Sequence, residues 1–200
     1  MSLDAAGRNA TPNYRGDPSR ARQRFAPLQV FRLALAHPVR RVIGIDPGSI
    51  KAGWGVVEQS GNRLKLIGSG TIKLGTGGLT ERIALLYGKL RTILEEHQPN
   101  EAAIEAIFFQ KNADSALKLG HARGVALLAL AHSQLTPTEY APASVRKSVI
   151  GNGAADKVQV RAMMRMMLGA PELEGLDETD AIAIAVCHLH HHPLLTTRRL

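Results

Sequence analysis

From residue 41 onward the chain alternates short apolar runs with longer stretches whose apolar residues recur at helical spacing. Val42, Ile43, Gly44 and Ile45 form a continuous apolar run of strand length, the pattern of a buried strand. Pro47 and Gly48 follow as a turn pair. Residues 52–57 predict a second strand, Ser60, Gly61 and Asn62 a hairpin turn, and residues 64–72 a third strand. Ile83, Leu86, Leu90 and Ile93/Leu94 then fall on one stripe and predict an amphipathic helix over 80–94. Thr80 is placed to cap that helix, and Pro99 with Asn100 to stop it. Residues 102–104 predict a short buried strand ending at Glu105. Asn112 is placed to cap a long helix over 113–132, and residues 138–141 predict a fifth strand. Helices follow near 143–150, 155–168 and 178–191, and no internal repeat or low-complexity segment interrupts them. Three meandering strands, then alternating helix and strand, predict an α/β protein: a mixed five-stranded sheet with helices on both faces.

Residues 1–39 break this rhythm. They are rich in Arg, Ala, Pro and Asn, with one short apolar patch at 30–35, and predict a basic, disordered extension. An organellar presequence, or a start codon placed upstream of the true one, has the same composition. The expected organisation is this extension, one domain over 40–192 and a short tail over 193–200. Charge follows the same division. Eight Arg and two Asp give the first 41 residues +6, which leaves +2 of the total +8 for the remainder. The high pI is therefore a property of the extension and says little about what the folded part binds. A single cysteine, Cys187, rules out an internal disulfide and fits a reducing, cytoplasmic compartment. No apolar run is long enough to span a bilayer, so a membrane is not an expected partner.

Four acids change the picture: Asp46, Glu105, Asp177 and Asp180. Each stands where a strand ends or a helix begins, inside a segment otherwise built for a core. A buried unpaired carboxylate is costly, so such positions call for something positive. Carboxylates with water are the ligands Mg²⁺ prefers, and two such ions serve phosphodiester cleavage. Each acid also has a plainer reading. Asp46 can cap the Pro47–Gly48 turn, Glu105 can sit at a solvated edge, and one of Asp177 and Asp180 can cap a helix. Capping explains poorly a second Asp on the same face directly before an Ala-Ile-Ala-Ile run. Glu178 falls on another face and is expected to be solvated. Taken singly, Lys111, Arg123, Arg146, Lys147, Lys157 and Arg161 read as surface charges. Gly120 and Gly124, four apart, permit a close helix contact within or between chains. His188, His190, His191 and His192 crowd a helix end, where tetrahedral zinc geometry is seldom available.

The blocks at 44–49 with 53–55, 104–108, 111–125, 139–141, 149–151 with 157–160, and 177–181 occur together and in order. On these residues the chain resembles the RuvC family of Holliday-junction resolvases from about residue 41 to 190. The resemblance implies an RNase H-like fold, a homodimer and two-metal cleavage of four-way junction DNA. It implies Mg²⁺, with Mn²⁺ as a substitute, bridged by Asp46 and held by Glu105 and Asp180, with Asp177 assisting. It further implies DNA contacts by Phe108, Arg146 and Lys157; Lys111 and Lys147 are added as DNA-binding candidates, and Phe109 is expected to close the core beneath the loop. A dimer contact through Gly120 and Gly124 and a working partnership with the RuvA–RuvB branch-migration complex are implied in the same way. An actin-like ATPase or sugar kinase would need a second lobe this chain has no length for. An RNA–DNA hybrid nuclease lacks the 111–125 block, and a non-catalytic junction binder would be expected to have lost one of the four acids.

Overall fold

Sheet formation starts where the basic segment gives way to the first apolar run. In the computed structural model, which describes residues 39–106 and 112–192, strand β1 (Arg40–Asp46) leads into β2 (Lys51–Ser60) and β3 (Arg63–Lys73). Helix α1 (Leu79–His97), strand β4 (Glu101–Glu105), helix α2 (Ala113–His132) and strand β5 (Thr138–Tyr140) follow. Helices α3 (Pro142–Ile150), α4 (Lys157–Leu168) and α5 (Leu176–His191) complete the described fold. The sheet order is β3-β2-β1-β4-β5. The meander β1–β2–β3 is antiparallel, whereas β4 runs parallel to both β1 and β5. All ten elements lie in one compact unit, and none of its helices is long and apolar enough to cross a membrane.

The sheet is buried on both faces. Val42, Val57 and Ala103 point to one side and pack against α3, α4 and α5. Ile43, Ile45, Val56 and Ile104 point to the other and pack against α1 and α2. Helix α5 carries most of the first layer. Every residue from Ala181 to Leu189 is buried, which is why its sequence is apolar on all sides rather than on one stripe. At the far end of α5 the buried His188 Nε2 lies 2.9 Å from Glu101, its Nδ1 lies 3.0 Å from the Tyr140 hydroxyl, and Arg40 ion-pairs with Glu101 at 2.5 Å. His188 is thus a satisfied core group. His190 faces Ser148 and His191 faces Cys187, so the histidines diverge.

One end signal differs from the sequence reading and another agrees with it. Thr80 does not cap α1: Gly78 is the N-cap and no side chain bonds there. The helix stops at Gln98, in the left-handed conformation at φ 46°, because the residue before Pro99 is disfavoured in the right-handed helix. Asn112 does cap α2, accepting from the amides of Asp114 and Ser115 at 2.9 and 3.2 Å. Cys187 is free and buried.

Candidate active site

Alternation along the strands decides which way the acids point. On β1, Val42 and Gly44 face α5, so Asp46, two residues on, faces the same way. On β4, Ala103 faces α5 and Glu105 continues that row. The parallel pairing sets Ile45 beside Ile104, which brings the carboxyl ends of the two strands side by side. The acids therefore extend the row of core positions just past the point where α5 stops covering the sheet.

Glycines let α5 come close enough to complete the site. A Cβ on Gly44 would collide with the carbonyl oxygen of Ala181 and stand 2.8 Å from the amide of Ala185. One on Gly53 would collide with the carbonyl of Asp177, and one on Gly55 would stand 2.5 Å from Ile182 Cγ1. The first turns of α5 thus lie directly on β1 and β2. Glu178 fixes the start of that helix. It accepts from the Gly175 amide at 2.9 Å and from Ser69 Oγ at 3.3 Å, so it is a capping group rather than the solvated residue expected. Across the cleft, Asp156 and Gln159 form a reciprocal capping box that makes Lys157 the first residue of α4. Arg82 of α1 donates to the Ser49 carbonyl at 2.7 Å and ties down the loop that follows Asp46.

These elements enclose a cleft of about 260 Å³ whose lining includes Asp46, Glu105, Asp180, Arg146 and Lys157. Asp177 does not line it, although its charge is felt by Lys157. Burial, then the charges of Glu105 and Asp180, pushes the Asp46 carboxyl up to about 8. Burial also raises the Glu105 carboxyl, with the charge of Asp180 acting in the same direction. Lys157 ion-pairs with Asp180. Burial opposes the Lys157 charge, but the hydrogen bond to Asp180 and the charges of Asp180, Asp46 and Asp177 outweigh it and raise its pKa. Arg146 Nε donates to the Gly153 carbonyl at 2.8 Å, holding its guanidinium at the rim.

The donor set suits a divalent cation. Half-buried carboxylates crowd together, burial and their mutual charge raise Asp46 and Glu105, and an ammonium sits on Asp180. Among the described residues no three His, Cys, Asp or Glu side chains converge on one point. Mg²⁺ does not require that, since it keeps several waters and is held by one or two carboxylates with substrate phosphate.

The remaining candidates divide. Lys147 is exposed on α3 and does not line the cleft. Arg161 donates to the Glu174 carbonyl at 2.8 Å. Arg123, expected as a surface charge, is buried: it ion-pairs with Glu139 at 2.6 Å and donates to the Glu105 carbonyl. The α2 face that carries it packs inward, and the polar partner on β5 gave no periodic signal in the sequence. Gly120 and Gly124 are exposed, and among the described residues a Cβ on either would meet nothing within 4 Å, so neither serves packing among those residues. Phe108, Phe109 and Lys111 lie outside the described residues.

A β3-β2-β1-β4-β5 sheet with acids at the ends of its two central parallel strands, completed by an acidic helix start, is RNase H-like. Known proteins narrow this class. The sequence model described as "Crossover junction endodeoxyribonuclease RuvC" matches residues 42–188. Relatives of that name are 43% identical over 159 residues in Sinorhizobium medicae (79% of this chain, 95% of the relative). In Allorhizobium ampelinum the figure is 47% over 152 residues (76% and 90%). The structure of Thermus thermophilus RuvC in complex with Holliday junction substrate aligns at TM-score 0.72 and 30% identity, covering 76% of this chain and 94% of that one. The chain belongs to the RuvC family of crossover junction endodeoxyribonucleases.

Proposed function

We propose that this chain resolves Holliday junctions by divalent-metal-dependent hydrolysis in the Asp46–Glu105–Asp180 cleft, as a homodimer that nicks two opposed strands. The observation that carries the reading is that Asp46, Glu105 and Asp180 line one cleft together with Lys157 and Arg146. Asp46, Glu105 and Asp180 would hold Mg²⁺, or Mn²⁺ in its place, with Asp177 beside them. When bound, two such ions would activate a water and stabilise the leaving oxygen. The chain's own residues do the rest. Glycine-backed packing of α5 sets the height of Asp180 over the sheet. Positive charge held in the cleft would favour the ionised forms of Asp46 and Glu105. Lys157 releases Asp180 and turns to the scissile phosphate, and Arg146 presents its guanidinium to the strand at the rim. Lys147, exposed on α3, and Lys111 extend the phosphate contacts, and Phe108 wedges at the junction centre. Each phosphate neutralised makes affinity fall with salt.

The dimer reading rests on α2. Leu117, Gly120, Gly124 and Leu128 recur on one exposed face, with the leucines 62% and 48% accessible. Glycines there let a second copy's helix approach closely, and a two-fold axis suits paired cuts. The partnership with a RuvA–RuvB complex follows from family membership alone.

The test is cleavage of a synthetic four-way junction beside linear duplex and RNA–DNA hybrid, with Mg²⁺ or EDTA. Paired symmetric nicks in the junction alone, abolished by EDTA, are expected. Hybrid cleavage, or EDTA-resistant nicking, would overturn the proposal.

A further inference from the structure

Arg123 and Arg40 are the two buried arginines among the described residues. A buried guanidinium is tolerated only when its donors are matched, so its partners report what the fold asks of it. Arg40 serves the Glu101–His188 network at the far end of the sheet. Arg123 serves the site end. From α2 its Nη1 donates to the backbone carbonyl of Glu105, and its Nη2 pairs with Glu139 Oε1 of β5 at 2.6 Å. Glu105 is the last residue of β4, and β5 beside it is three residues long. Among the described residues the ladder beyond consists of one bond, from the Ala106 amide to the Tyr140 carbonyl at 2.8 Å. The strand end that aims the Glu105 carboxylate into the cleft is gripped from outside the sheet by the Arg123 side chain.

We propose that Arg123 is a positioning residue for Glu105: it fixes the carboxyl end of β4 to α2 and β5, and so sets the spacing of Glu105 from Asp46. Each of its two terminal nitrogens holds a protein partner and its side chain is 10% exposed, which leaves little of the guanidinium open to a DNA phosphate. Gly124, its neighbour, lies on the open face of α2. The same helix thus presents the face proposed to meet a second copy and grips the strand end that carries a metal ligand. The inference rests on the reading of Glu105 as a metal ligand.

The experiment compares full-length Arg123→Met, Arg123→Lys and Glu139→Gln with wild type and with Glu105→Gln. Three quantities are read: Mn²⁺ binding by calorimetry without DNA, the Mg²⁺ dependence of single-turnover junction cleavage, and junction affinity in EDTA against salt. Loss of a group that orients a metal ligand weakens metal binding by about 10–100-fold. Arg123→Met should weaken Mn²⁺ binding and raise the Mg²⁺ concentration for half-maximal rate by about tenfold. Junction affinity in EDTA and its salt slope should stay as in wild type. Arg123→Lys should recover part of the loss, since an ammonium serves one partner but does not fork to both. Glu139→Gln should shift the metal dependence less, in the same direction, and carries the test with the lysine variant if the methionine variant does not fold. Folded variants with wild-type metal binding overturn the inference, whether or not their melting temperatures fall. A reduced salt slope with unchanged metal dependence also overturns it and makes Arg123 a phosphate contact. Should Glu105→Gln cleave normally, the reading of the site fails first. If Glu105→Gln is inactive while the Arg123 and Glu139 variants behave as wild type, the inference alone fails.

Discussion

Replacing Asp46 with Asn should abolish cleavage and stabilise the metal-free protein. The carboxyl at this position rises from an ordinary 3.8 to about 8, first because of burial and then because Glu105 and Asp180 face it. A raised acid means that the folded state binds its proton more tightly than the unfolded chain. The penalty for ionising it is absent below the unfolded value and grows as pH rises toward the folded one. At about 1.4 kcal/mol per pH unit, the ceiling at pH 8 is roughly 6 kcal/mol. Water entry and local relaxation reduce this, and about 2 kcal/mol is a reasonable expectation. For a protein of this size that corresponds to a melting temperature higher by about 4–8 °C. The assay is thermal unfolding of both proteins in EDTA from pH 6 to 8.5, then with Mg²⁺ added. The gap should open as pH rises and close when Mg²⁺ stabilises the wild type. Equal or lower melting of Asp46→Asn at pH 8, with no growth of the gap from pH 6, would refute the reasoning.

Acid should unfold the protein from the opposite end of the sheet. Burial lowers the His188 pKa, and the hydrogen bond from Arg40 lowers that of Glu101. Both contributions are present above the unfolded values and are lost as pH falls, so stability should decline below about pH 6.5 and again below about 4.3; a flat profile from pH 7 to 4 contradicts this. Lys157→Met should slow cleavage by about tenfold or more and reduce the salt slope of junction binding by about one, measured by titration at several salt concentrations. Gly124→Leu should weaken dimerisation measured by analytical ultracentrifugation while leaving the monomer as stable or slightly more so, because nothing among the described residues meets a Cβ there and glycine costs about 1 kcal/mol in a helix interior. Gly44→Ala should cost about 3 kcal/mol or more in chemical unfolding, since its methyl would strike the backbone of α5.

Some of these features could be read from the chain and some could not, for physical reasons. The strands and helices were legible because period-2 and period-3.6 burial leaves its imprint on composition, as in Ile43 and Ile45 against Val42 and Gly44. Asp46 and Glu105 stood out because an acid ending an apolar strand breaks that pattern. The approach of α5 to the sheet was harder to see. Gly53 and Gly55 matched a motif, but the space they clear is visible only with α5 in place. The start of α1 differs from the Thr80 reading because Gly78 caps it with no side-chain bond, whereas the stop before Pro99 is legible in the sequence. Arg123 and Glu178 were taken for solvated charges because their partners, Glu139 and Ser69, lie on other elements far along the chain. Asp177 and Asp180 share a helix face in projection, yet Asp180 lines the cleft and Asp177 does not. The backbone of Asp177 lies against Gly53, a close approach visible only with α5 in place.

The most direct test of the account is anomalous diffraction from crystals soaked in Mn²⁺. The account predicts two manganese peaks in the cleft, in contact with Asp46, Glu105 and Asp180, with Lys157 swung off Asp180, and their loss in Asp46→Asn. A cleft without manganese, or manganese bound only elsewhere while the same protein cleaves junctions, would contradict it.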